Sequence, residues 1–439
     1  MKTLIETPCG KIQGVPGKAE GVIAFKGIRY ATAGRWEYPK LVTSWEGIYD
    51  ATHYGPCAMQ DSAFVPEQNS GRNPFYYHEF REGLPYTYAE DCLFLNICAP
   101  ENAQNAPVIV YIHGGAFMGG SGWDKVFDEP HWAQQGVISV TLNYRLGVLG
   151  FCCLPELAAE AGHTGNYGLY DQLAALQWVK ENISAFGGNP DCITLMGQSA
   201  GARSVQFQVG CTEANHLIHR ACMSSGGGIK SVLFTAPDKV EDHYDFWLDW
   251  KKETGCETLK ELREMPVERI FQSFGAMLRK GFGNVMQGIS PAYDNAAYPA
   301  NPAFLKIPYL MGANSEDMNS DMYQDAQGWA VEQAVPSFAY FFDHPLPGDN
   351  AGAWHSADLW YWFGTLENCW RPFTDADFHL SQTMQNYLVN FAKTGDPNGE
   401  NLPVWVPAQN AEGKLMRLNG KFQNMDYIKR SDKDRPIGW

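Results

Sequence analysis

The chain has 439 residues, of which 45% are hydrophobic and 19% are charged, which indicates a globular protein with a large core. Its net charge of −16 argues against nucleic acid as a partner, because phosphate binding draws on clustered Lys and Arg. No apolar run reaches the roughly 18 residues of a membrane helix, and none of signal-peptide length begins the chain, so we expect a soluble, cytoplasmic protein without a membrane partner.

The first hundred residues contain short β-like runs separated by Gly, Pro and Asn, at 10–15, 22–30 and 91–100. Within the last run, apolar positions 93, 95 and 97 recur with the period of two that is typical of a strand. A longer apolar run at 106–112 is followed by the loop sequence HGGAF. This run predicts a buried parallel strand that enters a glycine-rich loop.

Strands and helices alternate from residue 137 onwards. The run at 137–147 predicts a second buried strand, and residues 167–188 have leucines at helical spacing with two glycines past the end. The run at 191–197 predicts a third strand, and residues 199–209 predict a helix. This alternation predicts an α/β fold with a mostly parallel sheet covered on both faces.

Charged amphipathic helices are predicted at about residues 230–285, between sheet elements. They look like a helical cap inserted into the sheet topology. A further strand at 307–314 and a late helix at 378–395 complete the sheet and its cover. We therefore expect one domain spanning residues 1–439 with a helical insertion at about 230–285.

The pentapeptide GQSAG places Ser199 between a predicted buried strand and a predicted helix. A turn this sharp strains the serine backbone, and the small residues Gly197, Ala200 and Gly201 relieve the crowding. The hydroxyl then lies at the carboxyl edge of the sheet, where the N–H of Ala200 at the helix N-terminus faces developing negative charge. The alternative, an inert serine in a glycine-flanked turn, is disfavoured by these flanks.

The sequence HGGAF at 113–117 follows a predicted buried strand upstream of the serine. Consecutive glycines let backbone N–H groups point together into a pocket, which makes Gly115 and Ala116 candidate donors to an oxyanion. A phosphate-binding loop is disfavoured, because neither the P-loop nor the dinucleotide glycine pattern is present.

These segments resemble the type-B carboxylesterases, the family that includes acetylcholinesterase and bacterial para-nitrobenzyl esterases. The resemblance covers most of the chain and is carried, in family order, by residues 90–97, 113–117, 143–151, 165–190, 197–202 and 394–399. It implies an α/β-hydrolase fold, a central mostly parallel mixed sheet flanked by helices, and hydrolysis of a small-molecule ester. It implies no cofactor and no metal.

The resemblance also implies a catalytic acid and then a histidine after Ser199. In the segment IPYLMGANSEDMNS the family pattern places the carboxylate at Asp317, with the neighbouring Glu316 left as the alternative. A calcium loop at this segment is excluded, because Met322 stands where the loop requires glycine. The segment GAWHSADLWYWFG matches the histidine segment of the family and implies His355 as the base. His344 and His379 remain alternatives by chain order.

The predicted enzyme uses Ser199 as nucleophile, His355 as base and Asp317 as orienting acid, with Gly115, Ala116 and Ala200 donating to the oxyanion. The alternatives are an amidase or lactonase with the same triad, or an adhesion protein of the same fold that has lost catalysis. The sequence leaves the acyl and alcohol groups and the oligomeric state open.

Four further positions carry expectations from the resemblance. Gln198 replaces a glutamate often found beside the nucleophile, which disfavours a cationic substrate. Ser225 matches a position near the histidine. Cys57 and Cys92 match two cysteines that form a disulfide in secreted relatives, so we expect them to lie close together, with the bridge itself left open.

Overall fold

The computed structural model describes residues 3–67, 74–229, 239–319, 321–411 and 415–425. Residues 230–238, with which the predicted cap begins, lie outside this description. Within it, no helix is both long and apolar enough to cross a bilayer.

The strands are, in chain order, β1 (Leu4–Thr7), β2 (Gly10–Gln13), β3 (Val15–Pro16), β4 (Val22–Arg29), β5 (Ala31–Thr32), β6 (Lys40–Leu41), β7 (Ile48–Asp50), β8 (Cys57–Ala58), β9 (Tyr88–Ala89), β10 (Phe94–Pro100), β11 (Ala106–Ile112), β12 (Ile138–Leu142), β13 (Gly188–Gln198), β14 (Arg220–Ser224), β15 (Tyr309–Asn314), β16 (Phe338–Phe342), β17 (Leu415–Leu418) and β18 (Gln423–Met425). The α-helices are α1 (Phe75–Phe80), α2 (Gly147–Phe151), α3 (Pro155–Ala161), α4 (Tyr167–Asn182), α5 (Ala200–Gln208), α6 (Tyr244–Thr254), α7 (Leu259–Glu264), α8 (Val267–Lys280), α9 (Phe282–Ile289), α10 (Met322–Glu332), α11 (Asp358–Phe363) and α12 (Asp375–Thr394).

The central sheet has the order β18-β17-β16-β15-β14-β13-β11-β12-β10-β4-β3 in the described residues. Strands β11 to β17 pair in parallel, whereas β3, β4, β10 and β18 join at the two edges in antiparallel fashion. The mostly parallel α/β architecture predicted from the sequence is therefore confirmed. Because parallel strands end at the same edge, the residues after β11, β13, β14 and β15 meet there.

Strand β11 shows why the sheet is covered on both faces. Val108, Val110 and Ile112 pack into one core cluster, whereas Ile109 and Tyr111 pack into the cluster on the opposite face. Successive side chains of a strand point to opposite faces, so a central strand covered on both sides has an unbroken apolar run. Helix α4 covers the first face and α12 covers the second.

Helices α6 to α9, from Tyr244 to Ile289, occupy most of the predicted cap and extend a few residues past it. Trp247, Trp250 and Phe274 of these helices are buried in the same core cluster as the face of β11 that carries Val110. The capping pattern of Thr258 and Glu261 starts α7, because each side chain accepts a backbone N–H of the other residue. The division of the chain into one domain with a cap stays a prediction.

All eleven cysteines are free thiols. Cys57 and Cys92 are both buried, and the Cys57 thiol lies 3.3 Å from the Ser121 hydroxyl. The disulfide that the resemblance left open is therefore not formed. Burial raises the pKa of the Cys57 thiol to about 12, so it stays protonated at neutral pH.

Candidate active site

Ser199 occupies the sharp turn between β13 and α5. Its φ of 57° and ψ of −125° lie outside the regions that L-residues ordinarily adopt. The Ser199 N–H donates to the carbonyl of Ser224 at 2.9 Å, which anchors the turn to the end of β14. The backbone strain is thus held by the neighbouring strand, and it is the geometry predicted for GQSAG.

Glycines make this turn possible through close backbone approach. A Cβ at Gly201 would lie 2.0 Å from the carbonyl oxygen of Ile112, and one at Gly197 would lie 2.4 Å from Gly201. Real side chains do not approach backbone this closely, so α5 packs against the end of β11 only because glycine has no Cβ. The first turn of α5 is thereby held directly beside the loop that follows β11.

That loop is the HGGAF segment, and it has three consecutive residues with positive φ. The values are 112° at Gly115, 54° at Ala116 and 59° at Phe117. Among the described residues, no hydrogen-bond acceptor is present for the backbone N–H of Gly115, Ala116 or Ala200. Gly115 is exposed, Ala116 is half-buried and Ala200 is buried at the start of α5, where the first N–H groups of a helix have no partner within the helix, so these three groups are available to a ligand.

His355 is 2% exposed, and its ring nitrogens face two different partners. Nδ1 makes a hydrogen bond with the Asp317 carboxylate, while Nε2 lies 3.2 Å from the amide nitrogen of Gln198. A carboxylate at Nδ1 requires a proton there, so Nε2 of the neutral ring is an acceptor and the Gln198 amide donates to it. Since Gln198 directly precedes Ser199, Nε2 faces the serine turn.

Asp317 is held by the backbone of its own turn. Its carboxylate accepts the N–H of Asn314 at 3.1 Å and the N–H of Met318 at 3.0 Å, and its side chain is 2% exposed. Burial acts to raise the pKa of Asp317, but the charge and hydrogen bond of His355, the hydroxyl of Ser225 and the Asn314 N–H together lower it. Asp317 is therefore ionised at neutral pH.

Glu316 takes a different position from its neighbour. Its backbone forms an isolated bridge with Trp354, and its N–H donates to the carbonyl of Ala353 at 3.0 Å. The structure thus pairs His355 with Asp317, the residue that the resemblance favoured over Glu316. The Glu316 backbone instead ties the acid turn to the segment that carries His355.

Three other histidines considered from the sequence do not pair with Asp317. His344 bonds to Asp377 at 2.8 Å, and His379 is exposed on α12. His113 is buried with Nδ1 2.8 Å from the Gly114 carbonyl, and burial lowers its pKa to about 4. A neutral His113 therefore supports the glycine loop.

Two supports of the His355 segment gave no sequence signal. Tyr76 of α1 donates its hydroxyl to the His355 carbonyl at 3.2 Å, and its ring meets the Trp354 ring edge-on. The buried Asp358 of α11 accepts hydrogen bonds from Ser224 at 2.7 Å and Tyr340 at 2.8 Å. Both contacts join residues far apart in the chain, so no local pattern announces them.

No group of three or more His, Cys, Asp or Glu side chains in the described ranges is arranged to hold a metal ion. The chemistry that the site itself offers is a strained hydroxyl, an imidazole hydrogen-bonded to a carboxylate, and backbone N–H groups for which no described residue is an acceptor. This set of groups is typical of acyl transfer through a nucleophilic serine.

Comparison with known proteins gives a consistent result. The model of the carboxylesterase family matches residues 1–334 and 318–435. The para-nitrobenzyl esterase of Bacillus subtilis (strain 168) is 31% identical over an alignment that covers 90% of this chain and 91% of the relative. Carboxylesterase 4A of Bos taurus is 28% identical, with 88% of this chain and 84% of the relative covered.

Solved structures agree with the sequence comparison. A thermophilic para-nitrobenzyl esterase superimposes with a TM-score of 0.83 at 29% identity, covering 97% of this chain and 98% of the other. An esterase from Clostridium hathewayi, described as hydrolysing aliphatic aromatic polyesters, superimposes with a TM-score of 0.79 at 26% identity, with 96% and 95% covered. The α/β-hydrolase fold expected from the sequence is confirmed by these likenesses.

Proposed function

This chain belongs to the carboxylesterase family and is a carboxylic-ester hydrolase, and we propose that it acts through an acyl-enzyme formed on Ser199. The Ser199 hydroxyl attacks the ester carbonyl, and its proton passes to Nε2 of His355. Asp317 holds the imidazole with Nδ1 protonated and stabilises the imidazolium that forms. The three residues are those that the resemblance implied.

The negative charge of the tetrahedral intermediate needs donors already in place. The N–H groups of Gly115, Ala116 and Ala200 are proposed to fill this role, because they have no acceptor among the described residues. A single donor of this kind contributes roughly 10²–10³ in rate in other acyl-transfer enzymes. The loop from Gly115 to Phe117 fixes the direction of the first two donors, and the start of α5 fixes that of Ala200, before the substrate arrives.

The leaving alcohol and the attacking water use the same imidazole. His355 first gives its proton to the alcohol oxygen as the ester bond breaks, which leaves the acyl group on Ser199. It then takes a proton from water, whose oxygen attacks the acyl carbonyl, and returns that proton to Ser199. The net reaction consumes one water and releases an alcohol and a carboxylic acid, and no cofactor takes part.

The observation that carries this proposal is the position of His355. Its imidazole lies between Asp317 on one side and the residue that precedes Ser199 on the other. In the free enzyme Nε2 contacts Gln198, so the hydroxyl of Ser199 must take over this contact when substrate binds. Catalytic hydrogen bonds often tighten in this way only in the substrate complex.

The proposal is tested by covalent labelling with an organophosphonate, which reacts with activated serines. We expect Ser199→Ala to lose both the label and the hydrolysis of para-nitrophenyl acetate. Ser225→Ala is the matched control for labelling, because it removes another buried hydroxyl of the same site and leaves the nucleophile in place, so it should keep the label and part of the hydrolysis. Labelling of Ser199→Ala at a different serine would contradict the assignment.

A further inference from the structure

Three arginines of the described part of the chain are buried to a similar degree, and for one of them no described residue supplies a carboxylate partner. Arg203, Arg145 and Arg371 are 3%, 4% and 4% exposed. Arg145 binds Asp171 at 2.7 Å, and Arg371 binds Asp349 at 2.7 Å and also binds Glu79. Among the described residues, no carboxylate lies within 4.0 Å of the Arg203 guanidinium.

The hydrogen bonds of Arg203 do not replace a carboxylate. The one acceptor for its guanidinium in the described part of the chain is Oε1 of Gln206, 3.1 Å from Nη1. The guanidinium also lies over the Phe207 ring, 5.1 Å from its centroid. A guanidinium has five N–H donors, so most of its hydrogen-bonding capacity is left for another group.

The electrostatics of the three arginines differ accordingly. Burial lowers the pKa of Arg203 to about 10, and the charges of Tyr293 and Asp325 offset this only in part. The pKa of Arg145 and that of Arg371 are raised, since their carboxylates outweigh burial. Arg203 remains protonated at neutral pH, and a buried cation without a partner is costly unless it receives an anion.

Arg203 lies one helical turn from the nucleophile. Its N–H donates to the Ser199 carbonyl at 3.0 Å as α5 begins. The segment Gly226–Gly228 lies against α5. A Cβ at Gly226 would lie 2.1 Å from the carbonyl oxygen of Ser199, and the side chain of Gln206 donates to the Gly228 carbonyl at 2.9 Å. The three glycines contribute no side chain beside the first turns of α5, and the Asp325 side chain lies next to Gly228.

We propose that Arg203 binds a free carboxylate on the acyl part of the substrate, so that half-esters of dicarboxylic acids are the preferred substrate class. This inference rests on the proposed acyl-enzyme at Ser199. The acyl group is attached to Ser199 during turnover, and a short dicarboxylic chain extends from it towards the next turn of α5. The planar guanidinium matches the two oxygens of a carboxylate.

The test compares monoethyl glutarate with ethyl pentanoate, which has the same acyl length and a methyl group in place of the carboxylate. Hydrolysis is followed by ethanol release in a buffer without added chloride, so that no halide competes for the guanidinium. We expect kcat/KM of the wild-type protein to be roughly 10- to 100-fold higher for the half-ester, which is the effect of one charged hydrogen-bonded pair.

Arg203→Met should remove this preference, and Arg203→Lys should keep part of it because the charge remains. Arg279→Met is the matched control, since it removes one positive charge from the exposed surface of α8 and should leave both rates unchanged. A wild-type ratio at or below one overturns the inference without any variant. An unchanged ratio in a folded Arg203→Met protein also overturns it.

The same experiment separates this inference from the proposed function. If Ser199→Ala still hydrolyses ethyl pentanoate, the acyl-enzyme itself is wrong. If Ser199→Ala is inactive on both esters while the wild-type protein shows no preference for the half-ester, only the role of Arg203 is wrong.

Discussion

Asp317 and Asp358 are two buried carboxylates on opposite sides of the His355 segment. Both accept several hydrogen bonds, and Asn314 joins them, because its backbone N–H donates to Asp317 at 3.1 Å and its side chain to Asp358 at 3.1 Å. They differ in the charge of their partners. Asp317 faces an imidazole that can become a cation, whereas Asp358 faces neutral donors from Ser224, Tyr340, Trp362 and Asn314.

The pKa values of the two groups move in opposite directions for this reason. At Asp317 burial is outweighed by His355, and the pKa falls. At Asp358 burial dominates, its neutral hydrogen bonds offset only part of it, and the negative charge of Asp317 adds to the rise in pKa. Burial alone therefore does not identify a catalytic carboxylate. The charge of the hydrogen-bond partner distinguishes the catalytic acid from the structural one.

The largest expected effect is that of Asp317→Asn on turnover. The amide preserves shape but can favour the wrong tautomer of His355, which costs roughly 10³–10⁴ in kcat in a comparable triad. The measurement is kcat on para-nitrophenyl acetate, with circular dichroism to show that the variant is folded. Glu316→Gln is the matched control and should retain most of the wild-type activity. A reversal of the two results would move the orienting role to Glu316.

The sequence predicts the role of Asp317 in large part, but it gives no indication of the role of Asp358. Asp317 follows a clear apolar strand, and the resemblance implies that it is the catalytic acid. Glu316 stayed an alternative, because the two acids are adjacent in the chain. Asp358 directly precedes the aromatic run LWYWF, where a polar residue is typical of a helix start. Its donors come from β14, β15, β16 and α11, so only the folded sheet brings them together.

The same limit applies to the rest of the molecule. The buried strand β11 was predictable because a run such as that from Val108 to Ile112 has one physical explanation. The selection of His355 among eleven histidines depended on the resemblance, because a histidine in a loop has no periodicity to interpret. Contacts across the chain, such as that of Tyr76 with the His355 carbonyl, follow from the assembled sheet edge alone.

The second prediction concerns stability. Asp358→Asn should lower the free energy of unfolding by about 1–3 kcal/mol, because donors to the carboxylate lose an acceptor. Urea unfolding at pH 4 measures this loss, because the contribution of a group with a raised pKa is larger there than at pH 7. Turnover should fall by less than about tenfold, since the residue touches neither substrate nor imidazole. A loss of turnover as large as that of Asp317→Asn would contradict the distinction between the two groups.

The pH dependence of that loss sharpens the comparison. The pKa of Asp358 is raised above its usual 3.8 in the folded protein. The stability it contributes is therefore full below pH 3.8 and is lost as the pH rises through the folded-state pKa. The difference in unfolding free energy between wild type and Asp358→Asn should shrink between pH 4 and pH 7.

Asp317 should behave in the opposite way. Its pKa is lowered below 3.8, so its contribution to stability is present above that pH and is lost only as the pH falls through the folded-state pKa. The difference between wild type and Asp317→Asn should therefore not shrink between pH 4 and pH 7. Parallel slopes for the two variants would show that the two carboxylates titrate alike.

The third prediction concerns a substitution that adds a second negative charge beside His355. Gln198→Glu places a carboxylate beside Nε2 of His355, which stabilises the imidazolium relative to the neutral ring. The acid limb of the kcat/KM profile should move to higher pH by about one unit, because the base must be neutral. Gln198→Met is the control, as it removes the amide without adding charge. An unmoved limb in Gln198→Glu would contradict the contact.

The smallest effects come from two adjacent serines that serve the two carboxylates separately. The Ser225 hydroxyl helps to lower the pKa of Asp317, whereas Ser224 donates to Asp358 at 2.7 Å. The described residues give the Ser225 hydroxyl no hydrogen-bond partner, so it acts on Asp317 only weakly, whereas loss of the hydrogen bond from Ser224 to Asp358 costs about 1 kcal/mol of stability. Ser225→Ala should therefore slow turnover by roughly three- to tenfold with little change in stability.

Ser224→Ala should do the reverse, because its partner holds strand ends together and does not face the imidazole. We expect urea unfolding to show a loss of about 1 kcal/mol, with kcat within about threefold of wild type. Each variant is the control for the other, since the two side chains are identical, buried and adjacent in the chain. If both changes moved turnover equally, the carboxylates would act as one network, and the separation between catalytic and structural acid would be wrong.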